Sequence, residues 1–266
     1  VSFIRLTPVD LALAAILVLV LAGLSVRLRL GVSRQILVAA LRTTVQLLLI
    51  GVVLRAVFEN VHWAWVTLIA AVMLLAAGRE VMARQKRPLR GGWGFGVGTL
   101  SMFLSSFAVT ILALVVIIGG EPWYAPQYAI PLLGMLLGNT MNGISLGMGR
   151  LTESAWQQRA VLEQRLLLGQ TRQEAVSDLR RDAVRTGMIP IINAMAAAGI
   201  VSLPGMMTGQ ILAGSPPVEA VKYQILIMFL IAGGTGFGVM ASIGITARRL
   251  FDDRHRLRLD RLRASP

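Results

Sequence analysis

The sequence predicts an all-α, polytopic membrane protein. Two observations carry the prediction: hydrophobic residues make up 55% of 266 residues, and mean hydropathy is +0.70. The apolar residues gather into runs of roughly 20, the length a helix needs to cross hydrocarbon. A third observation orients them. The net charge of +13 sits in alternate connections beside the apolar runs, so it sets topology and does not indicate a nucleic-acid surface.

Spans are expected near 8–26, 36–58, 63–83, 94–118, 129–148, 189–213 and 221–247, about seven transmembrane helices in one domain over 1–266 with no second soluble domain. The first is too long for a signal h-region and has no basic segment before it, so it is expected to remain in the mature protein. Arg27, Arg29 and Arg34, then Arg79 to Arg90, then the 149–188 segment, then Arg248 to Arg263 define one side. That side is the cytoplasm by the positive-inside rule, which places the N-terminus outside and the C-terminus inside. Trp63, Trp65, Trp93, Trp123 and Tyr124 fall at the ends of spans and read as interfacial anchors. Cysteine is absent, which excludes disulfides, zinc thiolates and cysteine nucleophiles. His62 and His255 both lie outside the spans, which disfavours a membrane-embedded enzyme.

Between Ile189 and Ala213 the apolar run is interrupted by Ser202-Leu203-Pro204-Gly205-Met206-Met207-Thr208-Gly209. Lipid does not tolerate unsatisfied backbone, so such a break is either a proline kink filled by neighbouring helices or part of a transport path. Candidate path residues are Arg42 and Gln46, four apart on one helix face, with Asn139, Asn142 and Asn193. Arg42 could equally snorkel, and the asparagines could equally bond between helices. Met206 and Met207 beside the break are either flexible packing or soft ligands that suit copper(I) better than iron(II). Paired glycines at 134/138, 143/147, 205/209 and 234/238 have the small-residue spacing of tight packing or a dimer seam.

The 149–188 segment is expected to form a cytoplasmic helical hairpin. One helix over Ala155–Leu168 ends at Gly169, and Thr171-Arg172-Gln173-Glu174 has the spacing of a capping box. Val176, Leu179 and Ala183 then share an apolar face, opposite Arg172, Asp178, Arg180, Arg181, Asp182 and Arg185. Such a helix is a solvated face or a docking element. Glu163 followed by Leu166-Leu167-Leu168-Gly169-Gln170-Thr171 resembles the coupling motif of ABC permeases.

The chain as a whole resembles the FetB-type ABC permeases, a family linked to iron export with plant relatives linked to aluminium tolerance. The resemblance rests on Leu41-Arg42-Thr43-Thr44-Val45-Gln46-Leu47, on Ile130-Pro131-Leu132-Leu133-Gly134-Met135 with Gly138-Asn139-Thr140-Met141, and on Leu168-Gly169-Gln170-Thr171 with Arg181-Asp182. It rests above all on Val201 to Gly209 and Pro217-Val218-Glu219-Ala220-Val221-Lys222-Tyr223-Gln224. It implies a homodimeric permease in the bacterial inner membrane, exporting iron or another metal and bound to two copies of a cytoplasmic ATP-binding subunit. Glu163, Leu168, Gly169, Gln170, Thr171, Glu174 and Arg181 would couple to that subunit. The sequence has no Gly-x4-Gly-Lys-Ser/Thr stretch, so ATP and Mg are expected in the partner and no cofactor in this chain. Metal ligands are not identifiable from the sequence. Arg42 and the scarcity of carboxylates within the spans keep a nucleotide sugar or other organic solute open as the alternative substrate.

Overall fold

The computed structural model describes residues 7–59 and 61–263, and these contain helices and no named strands. The chain divides into two units, Val1–His62 and Trp63–Pro266. The first holds α1 (Pro8–Arg27) and α2 (Ser33–Glu59), which pack on each other. A capping box opens α1, with Thr7 as N-cap and Asp10 three residues on.

The second unit begins with α3 (Trp63–Ala83) and a fourth apolar rod, Trp93–Ile118. That rod is α4 (Trp93–Met102) and α5 (Ala108–Leu112), with π-helical turns at Phe103–Phe107 and Ala113–Ile118. There follow α6 (Pro126–Gln157), α7 (Arg159–Leu167), α8 (Arg172–Ala175), α9 (Ser177–Ala197), α10 (Gly205–Leu212), α11 (Pro217–Arg249) and a short 3₁₀ turn, Leu259–Arg261. Helix α6 is the axis of this unit, packing along α3, α9 and α11.

Among the described residues six helices are long and apolar enough to cross a membrane. The run expected over 189–213 is not one of them, because it is divided between α9 and α10. Its break lies at 198–204, so Gly205 to Gly209 are helical where the sequence placed the interruption. Gly199 takes a left-handed φ of +82°, and Pro204 precedes α10 in extended conformation. Proline disfavours helix in the residue before it, so the chain re-enters helix only at Gly205.

The glycines let α6, α9 and α11 approach closely. A Cβ at Gly143 would stand 2.8 Å from the carbonyl oxygen of Gly187 and 2.9 Å from a Val239 methyl. Gly147 meets Ile243, and Gly238 meets Thr140. Lipid tails are as apolar as leucine, so helices in a bilayer are held by such close packing more than by transfer from water. Of the four glycine pairs, 143/147 and 234/238 are used in packing within the chain, while 205/209 have open space at both Cβ positions.

Beyond the spans a second kind of core appears. Leu89, Leu162, Val176, Leu179, Leu250, Phe251 and Leu262 are buried at the hairpin end of the unit. The C-terminal segment, basic in sequence, folds back on the α3–α4 connection: the Arg90 N–H donates to the Arg261 carbonyl at 2.7 Å and the Arg263 N–H to that of Pro88 at 2.9 Å. The Arg261 guanidinium donates to the carbonyls of Arg249 and Phe251 at 2.8 and 3.1 Å.

Candidate functional site

Along α6, Pro131, Met135, Gly138, Asn139, Asn142 and Leu146 recur at helical spacing and are exposed or half-buried, while the intervening faces are buried against neighbours. Two amides and a glycine on an open face of an apolar helix are out of place against lipid. The Asn139 amide donates to the Met135 carbonyl at 2.8 Å, within its own helix. Asn142 is engaged across helices, its Oδ1 accepting from Nη1 of Arg84 at 2.6 Å. Arg84 also lies 3.7 Å from Glu80. The sequence reading missed this cation as a neighbour of the strip. The available signal was the Glu80–Arg84 spacing of four, which pairs a carboxylate and a guanidinium on one helix face.

The other expected path residues are placed differently. Asn193 is exposed on α9. Met207 is buried, and Met206 packs with Met188 and Met135 around a cluster that includes Leu132, Leu136, Ile191 and Ile227. Arg42 and Gln46 are exposed on α2 in the other unit. The structure therefore brings Asn139 and Asn142 together, with Arg84 added, and sets the methionines in apolar packing.

The break supplies its own polar partners. The Ala197 carbonyl accepts from the N–H groups of Ile200, Val201 and Ser202 at 3.4, 3.0 and 3.1 Å, and the Ser202 carbonyl accepts from Gly199 at 2.9 Å. These bonds occupy the N–H groups of residues 199 to 202 from within the segment itself. What the break exposes is apolar: Ile200 is 89% and Val201 82% accessible. An apolar cavity of about 290 Å³ lies elsewhere, lined by Trp63, Phe107, Thr110, Trp123, Tyr124 and Leu133 among others, and none of the expected path residues borders it.

At the hairpin, the expected glycine turn and capping box are both present. Gly169 has φ +87°, its N–H donates to Leu166 and that of Gln170 to Arg165, a Schellman closure. The Thr171 N–H and hydroxyl donate to a Glu174 carboxylate oxygen at 2.8 and 2.9 Å. These bonds, the backbone one first, hold the Glu174 carboxyl below its usual pKa. Arg165 braces the turn by donating to the Ala175 carbonyl at 3.2 Å and to Asp178 at 3.0 Å. Leu167 and Leu168 stand almost wholly exposed at the tip, and Glu163 and Gln170 are exposed beside them. Arg181 lies 3.9 Å from Asp178.

The arms of the hairpin differ from the expected pair of free helices. Ala155 belongs to α6, which runs on to Gln157 before a bend at Gln158, and the second arm is the start of α9. Both arms are thus extensions of helices that enter the apolar bundle. They are tied to each other by Arg150–Asp182 at 2.6 Å and to the α3–α4 connection by Arg87, which lies 3.3 Å from Glu153 and stacks 4.2 Å over Trp156.

Residues 8–251 match the family described as Uncharacterised protein family (UPF0014). The chain belongs to this family. It is 42% identical to the UPF0014 membrane protein slr1647 of Synechocystis over 86% of this chain and 87% of that one. It is 31% identical to the "Probable iron export permease protein FetB" of Escherichia coli over 97% and 98% of the two chains. It is 34% identical to the UPF0014 membrane protein STAR2 of Oryza sativa over 84% and 76%. No solved structure matches it significantly.

Proposed function

We propose that this chain is the transmembrane permease subunit of an ABC transporter that exports iron or another metal by ATP-driven alternating access. In this reading a homodimer sits in the bacterial inner membrane, N-terminus outside and C-terminus cytoplasmic, with two copies of a cytoplasmic ATPase subunit. The relative named as an iron export permease supports the substrate class. The observation that carries the coupling role is the hairpin: a braced turn with Leu167 and Leu168 exposed at its tip, on arms continuous with α6 and α9. An apolar knob in water suits a protein partner. Force applied there would reach both the open asparagine strip of α6 and the break after α9.

A nucleotide sugar or other organic anion is the second reading. It is favoured by the Arg84 guanidinium on Asn142, a positive group at the strip.

Leu168→Asp and Gly169→Pro are expected to abolish ATPase coupling while leaving the membrane bundle folded, because the damage lies at an exposed turn. Reconstitution with the ATPase subunit in proteoliposomes, scoring hydrolysis and export of iron(II), other metals and UDP-sugars, is the test. Normal coupled transport in both variants would mean that the hairpin is a solvated face.

A further inference from the structure

Between the start of the second hairpin arm and the last turns of α11 lies a cleft of about 430 Å³ whose lining includes Arg172, Arg180 and Arg248 and no carboxylate. Its floor is apolar, formed by Val176, Met240, Ala241, Gly244 and Ile245. Among the described residues none of the three guanidiniums forms an ion pair, and several acids close to them in sequence are engaged elsewhere. Asp178 pairs with Arg165, Asp182 with Arg150, Asp252 with Arg256, and Glu174 caps its own turn. Arg172 is fixed at its backbone, its N–H donating to Nδ1 of His255 at 3.2 Å. We propose that this cleft binds the phosphate headgroup of an anionic phospholipid.

Charge and depth both argue for a lipid. Three arginines outside any ion pair line a space large enough for a phosphodiester, and guanidiniums bind phosphate oxygens in bidentate fashion. A soluble anion would need only the charged rim. Here the cleft continues onto α11, a helix long and apolar enough to cross a membrane, at a face where Met240 is exposed, two helical turns before Arg248. An acyl chain can lie against that surface while the headgroup meets the arginines. The site bridges α8 and α9 of the hairpin arm to α11, so an occupant would tie the hairpin to the bundle. The proposal does not depend on what the protein transports.

The test uses the full-length protein in nanodiscs or detergent, with phosphatidylglycerol, phosphatidylcholine and inorganic phosphate as separate probes. Native mass spectrometry is expected to show phosphatidylglycerol retained over phosphatidylcholine. Each Arg→Gln change at 172, 180 or 248 should weaken retention about fivefold, and the triple variant roughly a hundredfold. Removing three exposed charges elsewhere, by Lys86→Gln, Arg90→Gln and Arg254→Gln, should leave the preference intact. If the triple cleft variant misfolds, wild-type protein with a photoreactive phosphatidylglycerol is expected to give adducts on 172–180 and 240–248. Unchanged preference in the folded triple variant, or adducts confined to other segments, overturns the proposal. Equal stabilisation by inorganic phosphate alone overturns the lipid source.

Discussion

Glycine and asparagine carry opposite lessons at the scale of single residues. Gly187 faces the Gly143 carbonyl oxygen at 2.8 Å and a Val239 methyl at 2.8 Å from where a Cβ would be, so any side chain there must push two helices apart. Gly187→Val is expected to destabilise the bundle by about 1–3 kcal/mol or more, whereas Gly209→Ala meets open space and should be tolerated. Thermal melts of the two variants in one detergent check this, and equal losses would show that α6–α9 packing is not glycine-dependent. Asn142 bonds Arg84 and lies on an open strip, so under the proposed function Asn142→Leu should lower transport while expression and ATPase binding stay near normal. Met206 and Met207 lie in apolar packing, and their joint change to Leu keeps size and apolarity. Under the proposed function transport is expected to survive it, and loss of metal-stimulated ATPase activity would instead point to sulfur ligation.

At the scale of elements, the hairpin cap depends on an ionised carboxylate. Its two bonds to Thr171 lower the Glu174 pKa below the usual 4.5, so the charged form is favoured in the folded turn. A depressed carboxylate contributes stability above its unfolded pKa and loses it as pH falls through the folded value. The cap is therefore intact at neutral pH and frays as pH falls from the ordinary carboxylate range through the lowered value of Glu174. Amide exchange over 171–176 should accelerate there, and Glu174→Gln should show the faster exchange already at neutral pH. Exchange in the wild type that does not change on acidification would show that the cap bond is not holding the turn. This element was readable in advance because the glycine, the threonine and the glutamate act on neighbours three or four residues away. The arms were not, since a helix that leaves the membrane and continues into water shows no local stop signal, and the long α6 was read as ending near 148.

The whole second unit is held by two kinds of packing. Along the long apolar helices, close contact of α6 and α11 with each other and with α9 replaces the hydrophobic effect as the main term. At the hairpin end, which is rich in charged residues, Leu89, Leu162, Phe251 and Leu262 form an ordinary apolar core, each worth about 1.5–3 kcal/mol on burial. Leu262→Ala is expected to cost about 2–5 kcal/mol of local stability, releasing the C-terminal segment from the α3–α4 connection. Limited proteolysis after Phe251 reads this out, and unchanged protection would show that the backbone bonds at Arg90 and Arg263 suffice. Asp260, held at a pKa of about 2 chiefly by its bonds to Arg258, stays ionised throughout the range of such an experiment.

By itself, the sequence determined the all-α membrane class, the apolar runs, the alternation of basic connections and the hairpin turn, because each follows from composition or from spacing within a few residues. The tertiary structure alone decided that Arg84 meets Asn142, 58 positions apart. It alone decided that the N–H groups of residues 199 to 202 at the break find carbonyl acceptors in Ala197 and Ser202 and that the basic C-terminal segment buries Leu262 against Leu89. Those outcomes depend on which helix faces which. Periodicity shows that a helix has a face to bury, but the choice of neighbour is set by the packing of the whole bundle.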